Sequence, residues 1–136
     1  EPLTELDARG KGISDLTGLE YCISLRLIDL GGNNISDISA LAGLTNLDWL
    51  ALKNNNISDI SPLAGLSRLQ NLFCVGNNIS DISALAGLTN LRELDLDNMH
   101  ISDISALEEN SGLSEGVNVS LQNNPLSPQS IDIYIP

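Results

Sequence analysis

Aromatic residues are almost missing from this chain. It holds one Trp, one Phe and two Tyr, 3% of its 136 residues, although 42% are hydrophobic. A globular core of this size ordinarily draws on Phe and Tyr. A core supplied by Leu and Ile alone points to a long, thin stack of similar layers, each burying its leucines against its neighbours. Basic residues are scarce too: six Lys and Arg stand against 18 Asp and Glu, a net charge of −12. With no basic stripe to neutralise phosphates, nucleic acid and anionic membrane surfaces are not expected partners. The charge favours solubility and a basic partner. Apolar runs stay short of the roughly 18 residues that a membrane-spanning helix needs, so no membrane insertion is expected.

The chemistry-bearing residues are equally sparse. Two cysteines are too few for a disulfide framework. Cys22 takes a place held by Leu44, Leu66 and Leu88 elsewhere, and Cys74 one held by Leu52 and Leu96. Both read as small buried hydrophobes, too far apart to be bridged. His100 is the sole histidine, with no Ser or Cys nucleophile beside it, so no triad can be drawn. Neither a metal-ligand cluster nor a phosphate loop is present. The expectation is a non-enzyme with no catalytic residues, no cofactor and no metal.

What the chain has in abundance is repetition. "NNISDISALAGLTNL" runs from Asn33 to Leu47 and again from Asn77 to Leu91, with "NNISDISPLAGLSRL" at Asn55–Leu69 between them. Ile13, Ile35, Ile57, Ile79 and Ile101 are each 22 residues apart. A fixed period of about 20–29 residues with leucines at set offsets is the signature of a leucine-rich repeat. The predicted fold is α/β: a right-handed solenoid with a parallel β-sheet on its concave face and short 3₁₀ or irregular turns on its convex face. It comprises one domain over 1–136, with five 22-residue coils, a degenerate closing coil over 108–126 and a C-terminal turn over 127–136. A three-residue insertion within "EENSGLSEG" displaces the closing coil, which ends at Leu126. In the last turn Ser127 is placed as N-cap, Pro128 at the first helical position, and Ile131 one turn from Ile135. Glu1-Pro2 leads directly into the first strand with no signal peptide before it, so the chain reads as a piece of a longer protein. No polar cap covers the first coil. Leu3, Leu6 and Ile13 are therefore expected to present an apolar edge, and sedimentation at high concentration should register weak self-association through it.

Each repeat position has a physical task. The strand alternates with period two, sending Leu6, Ile28, Leu30, Leu50, Leu52, Leu72, Leu94 and Leu96 inward. Asn33, Asn55, Asn77 and Asn124 follow the strands, where a stack of amides can bond the unpaired backbone of the turn. Lys11 and Met99 interrupt this stack, and a local adjustment is expected around Asn98 to His100. The "SDIS" stretch opens the return side with Asp15, Asp37, Asp59, Asp81 and Asp103 in a column. Such a column has the composition of a cation track, but each Asp also has the place of a cap for its own helical turn. The glycines of "LAGL" (Gly43, Gly65, Gly87) fall at the bend. "NIS" at Asn34, Asn56 and Asn78 matches a glycosylation acceptor only as often as the repeat recurs.

Where the coils differ, information remains. The outward strand positions read Glu5, Asp7, Arg9; Leu27, Asp29, Gly31; Trp49, Ala51, Lys53; Asn71, Phe73, Val75; Glu93, Asp95, Asp97; and Asn118, Ser120, Gln122. The sole Trp and the sole Phe both fall here, on neighbouring strands, with Leu27 and Val75 beside them. A contiguous apolar surface rimmed by charge marks an interaction site, and Trp is enriched where binding energy concentrates. The candidate partner-binding residues are Trp49, Phe73, Leu27, Val75, Lys53, Asp29, Asn71, Glu93 and Asp95. The alternative is that the two rings cover sheet surface or a flanking segment.

The "NNISDIS…LAGLTNL" pattern resembles the 22-residue repeats of bacterial internalins over about Leu3 to Leu107, and more loosely the leucine-rich regulatory subunit of a eukaryotic protein phosphatase. The internalin resemblance implies an extracellular or cell-surface protein whose concave aromatic residues hold a host receptor. By position Trp49 and Phe73 match that use. The looser one keeps a cytosolic regulatory subunit open, and a structural spacer or assembly element is the other alternative.

Overall fold

The computed structural model describes residues 1–114 and 116–128; the expected pairing of Ile131 with Ile135 lies outside the described residues. Six strands of three residues each lie side by side: β1 (Glu5–Asp7), β2 (Leu27–Asp29), β3 (Trp49–Ala51), β4 (Asn71–Phe73), β5 (Glu93–Asp95) and β6 (Asn118–Ser120). They form one parallel sheet in chain order, so every coil pairs only with the coils before and after it. The chain is a leucine-rich repeat solenoid, as the period requires.

The repeat writes the core in columns. Ile28, Leu50 and Leu72 are fully buried, and so are Leu52, Leu96, Ile35, Ile57, Ile79 and Ile101. Burying such a side chain contributes on the order of 2 kcal/mol relative to leaving it in water. Cys74 replaces a leucine in one column and is fully buried; desolvation, with Asp95 adding a smaller effect, pushes its thiol up to about 12, so it acts as a hydrophobe. Cys22 departs from expectation, since it is only half-buried at the first coil.

The asparagine stack forms as read. The Asn55 Oδ1 accepts from the Ile35 amide at 3.0 Å, while its Nδ2 donates to the carbonyls of Leu30 and Leu52 at 3.0 and 3.1 Å. Asn33, Asn77 and Asn124 repeat the arrangement, so each amide ties its own turn to the previous coil. At Met99 the stack breaks, and among the described residues nothing accepts from the Ile79 amide. The accompanying adjustment falls beside the expected place. The Gly76 amide reaches the Asp97 carbonyl at 3.3 Å, where the equivalent bonds from Gly32 and Asn54 are 2.8 and 2.7 Å. The residue before each turn position is left-handed (Gly10, Gly32, Asn54, Gly76, Asn98 and Asn123), and Gly or Asn tolerates that conformation.

On the convex side, three-residue 3₁₀ turns occupy Leu19–Tyr21, Ser39–Leu41, Ser61–Leu63 and Ser83–Leu85. The fifth coil differs and holds a short helix, α1 (Ser105–Glu109). Strand starts are 22 residues apart from β4 to β5 (71 to 93) but 25 apart from β5 to β6 (93 to 118). The extra three residues make room for an α-helical bond from the Glu108 amide to the Ile104 carbonyl at 3.4 Å. At the bends, Gly43, Gly65 and Gly87 have open space around them and no left-handed backbone, so glycine is not obligatory there. At the first coil, Leu6 and Ile13 are half-buried rather than open edge, while Leu3, Ile23 and Tyr21 are exposed.

Candidate functional site

Strand register sets the concave face as a grid. One row runs Glu5, Leu27, Trp49, Asn71, Glu93, Asn118, and the next runs Asp7, Asp29, Ala51, Phe73, Asp95, Ser120. Two residues further along each strand stand Arg9, Gly31, Lys53, Val75, Asp97 and Gln122. Trp49 and Phe73 therefore sit one strand and one pleat apart, and their side chains meet. The ring centroids are 5.3 Å apart with planes tilted by 49°, within the range that the ring quadrupoles favour. The Lys53 Nζ lies 4.9 Å from the centre of the Phe73 ring, close enough for a cation–π contact.

The rings are half-buried, not free in solvent, each covering part of the other, with Lys53 over Phe73. Ala51 occupies an outward strand position between them yet is only 2% exposed. It lies two residues from Trp49 on β3 and directly across from Phe73 on β4. The sequence pattern marks Ala51 as outward and gives no sign of its burial. Leu27, Asn71 and Val75 are likewise half-buried around the pair.

Charge divides the face unevenly. On the β1 side the Asp7 carboxylate is bonded by Arg9 at 2.8 Å, and that guanidinium also stands 3.6 Å from Asp29. The Arg9 hydrogen bond holds Asp7 below the usual carboxylate range, and Asp7 in turn raises Arg9. On the rim, Arg26 and Asp48 pair at 2.6 Å across β2 and β3, a contact not foreseen from the repeat. On the β5 side no such pairing exists among the described residues. Glu93 and Asp95 carry no ion pair, and Asp97 accepts from the Ser120 hydroxyl and the Gln122 amide instead. A shallow depression of about 290 Å³ lies along Glu93, Asp95, Asn118 and Ser120. Another of about 280 Å³ lies beyond Trp49, along Glu5, Leu27 and Arg26.

The convex carboxylate column has a different occupation. Asp37, Asp59, Asp81 and Asp103 each accept from the backbone amide two residues on, at 2.8 to 2.9 Å, and Asp15 accepts from both the amide and the hydroxyl of Thr17. For Asp15 the Thr17 hydroxyl is the main cause that holds the carboxyl below its ordinary range; for the others it is the serine amide. Repulsion from neighbouring aspartates opposes this at Asp37, Asp59 and Asp103. His100 is exposed, with its amide bonded to the Ile79 carbonyl at 2.9 Å.

Comparison with known proteins agrees with this architecture. The family described as leucine-rich repeats (two copies) matches residues 45–85 and 67–109. The structure of internalin C2 from Listeria monocytogenes aligns over 88% of this chain at 43% identity, with a TM-score of 0.84. The chain is an internalin-like leucine-rich repeat protein. An internalin F structure from the same organism aligns over 92% of the internalin-like chain at 29% identity, with a TM-score of 0.56. The chain spans about half of each, 52% and 49% of their lengths. At 18% identity and a TM-score of 0.66, the ectodomain of the Arabidopsis thaliana receptor kinase SOBIR1 covers 88% of this chain and shares the fold alone; the chain covers 68% of it. No curated protein matches the chain. Proteins with this fold are typically protein-interaction modules. No helix among the described residues is long and apolar enough to cross a membrane.

Proposed function

We propose that this internalin-like chain is a recognition module that holds a partner protein on its concave face, in the extracellular or cell-surface setting that the resemblance implies. One observation carries the reading: the only Trp and the only Phe of the chain touch each other on the solvated face of the sheet. Their cross-strand neighbours are Leu27 and Asn71 beside Trp49, and Ala51 and Asp95 beside Phe73. Trp49 and Phe73 form the centre, Leu27, Val75 and Asn71 surround it, and Lys53, Asp29, Glu93 and Asp95 make the charged rim. An apolar centre inside a polar rim is the usual anatomy of a protein-binding patch. In a spacer, by contrast, these two positions would carry no binding energy.

The test is affinity capture by the wild-type chain and by a Trp49→Ala, Phe73→Ala double variant, followed by titration of the captured protein. The double variant should lose about 2 kcal/mol or more of binding, roughly 30-fold in Kd. It should stay folded by circular dichroism, with a stability loss on the order of 1–2 kcal/mol for the lost ring contact. Equal binding by both proteins, or unfolding of the variant with no partner found for the wild type, would favour the spacer.

A further inference from the structure

We propose that the partner segment taken by this face is cationic: an apolar or aromatic residue seated against Trp49 and Phe73, with an Arg or Lys beside it between Glu93 and Asp95. The inference rests on the recognition reading above and adds the chemistry of the partner. Its ground is an imbalance of charge that the fold leaves uncompensated. The outward rows carry six carboxylates (Glu5, Asp7, Asp29, Glu93, Asp95, Asp97) against two cations, Arg9 and Lys53. Both cations are already engaged, Arg9 with Asp7 and Asp29 and Lys53 over the Phe73 ring. Ion pairs on these rows are confined to the β1 and β2 side, where Glu5 alone lacks one among the described residues; on the β5 side none of the three carboxylates, Glu93, Asp95 and Asp97, has one. On the rim, Arg92 is exposed without an ion pair among the described residues and offsets one of these charges; Arg26 is taken by Asp48.

Register brings this charge to the aromatic pair. Phe73 and Asp95 are direct cross-strand partners, and Asn71 is the partner of Glu93. Neighbouring strands lie about 4.8 Å apart, so a side chain stacked on the rings has its neighbour within reach of the β5 carboxylates. The depression beside Glu93 and Asp95 is open and polar, and its other wall, Asn118 and Ser120, is neutral. A guanidinium there would meet two carboxylates with no competing cation from this wall. An acidic or neutral segment would desolvate the same carboxylates and leave them unpaired, which costs affinity.

The sole tryptophan makes the site its own reporter, since any emission change comes from Trp49. The experiment selects binders from a random peptide display library lacking tryptophan, then titrates the selected peptides into the whole chain while following Trp49 emission. Peptides rich in Arg or Lys next to an apolar residue are expected, with emission shifted on binding and affinity falling as salt is raised. Glu93→Gln with Asp95→Asn should weaken them about 10-fold or more. A convex control of equal charge change, Asp37→Asn with Asp59→Asn, should weaken them by less than about 2-fold, because those carboxylates lie on the other side of the solenoid. Peptides that move Trp49 emission without basic enrichment, or that lose as much affinity in the convex control, would overturn the cationic partner and leave the recognition face standing. Peptides that leave Trp49 emission unmoved and bind Phe73→Ala unchanged would overturn both. A selection that yields no binder counts against the cationic segment.

Discussion

Asn55→Ala is expected to destabilise the chain by about 3 kcal/mol, more than removal of any exposed residue. Asn55 is 6% exposed and sits in the middle of the stack, so both neighbouring turns depend on it. Its Oδ1 is the partner of the buried Ile35 amide at 3.0 Å. The Leu30 and Leu52 carbonyls would each keep one amide donor, from Asn33 and Asn77, so their loss is partial. The Ile35 amide would keep nothing among the described residues and would carry the full cost of a buried unsatisfied donor, about 1–3 kcal/mol. A small cavity and the weakened carbonyl bonds supply the rest. Coil five provides the mirror case. Met99 leaves the Ile79 amide in that condition, so Met99→Asn is expected to stabilise by about 1 kcal/mol by restoring the stack. Urea unfolding of both variants checks the argument. A loss below about 0.5 kcal/mol for Asn55→Ala would mean that water satisfies the turn and that the stack is not a structural necessity.

How much of this was legible in the sequence depends on whether a residue obeys its column. The inward leucines, the Asn stack, the column of aspartates and the short convex turns all follow from a period of 22, because a column repeats one environment. Asp37, Asp59, Asp81 and Asp103 stand one residue before the N-cap and accept from the amide two residues on, rather than occupying the cap itself. The meeting of Trp49 with Phe73 was legible as arithmetic: a separation of 24 is one coil plus one pleat step. What escaped were residues whose role depends on a neighbour outside their column. Ala51 is buried at an outward position, beside Trp49 on its own strand and across from Phe73 on the next. Arg9 and Arg26 find carboxylates one coil away, a matter of side-chain reach rather than of period. Asn110 is the sharpest instance. It stands in the column of Leu44, Leu66 and Leu88, a polar group at a core site, and only the backbone around it shows why it is tolerated. Its Nδ2 donates to the carbonyls of Leu85 and Leu88 at 2.8 and 3.0 Å, and its Oδ1 accepts from the Gly112 amide at 2.9 Å.

That last bond leads to the second large effect. Gly112→Ala is expected to cost about 3 kcal/mol, although the residue looks like one more bend glycine. A Cβ at Gly112 would overlap the carbonyl oxygen, carbonyl carbon and Cα of Thr89 in the preceding coil. These are backbone atoms, so no rotamer can relieve the clash; the last bend must move away from coil four. Moving it strains the amide that Asn110 accepts from and, through Asn110, two bonds to coil four in the buried core. Gly65→Ala is the matched control. Nothing lies near its Cβ and its φ is not left-handed, so the same substitution there should be neutral or stabilising by up to about 1 kcal/mol through the unfolded state. The two variants should also unfold differently. In a solenoid each coil is held only by its neighbours, so a defect near one end can release that end first. Hydrogen exchange in Gly112→Ala should speed up at Leu96 and Asn118, whose amides hold β5 to β6 at 2.9 Å, while the amides between β2 and β3 stay protected. If Gly112→Ala melts no earlier than Gly65→Ala, the close approach of the two backbones is looser than this geometry and the last coil is held by its leucines alone.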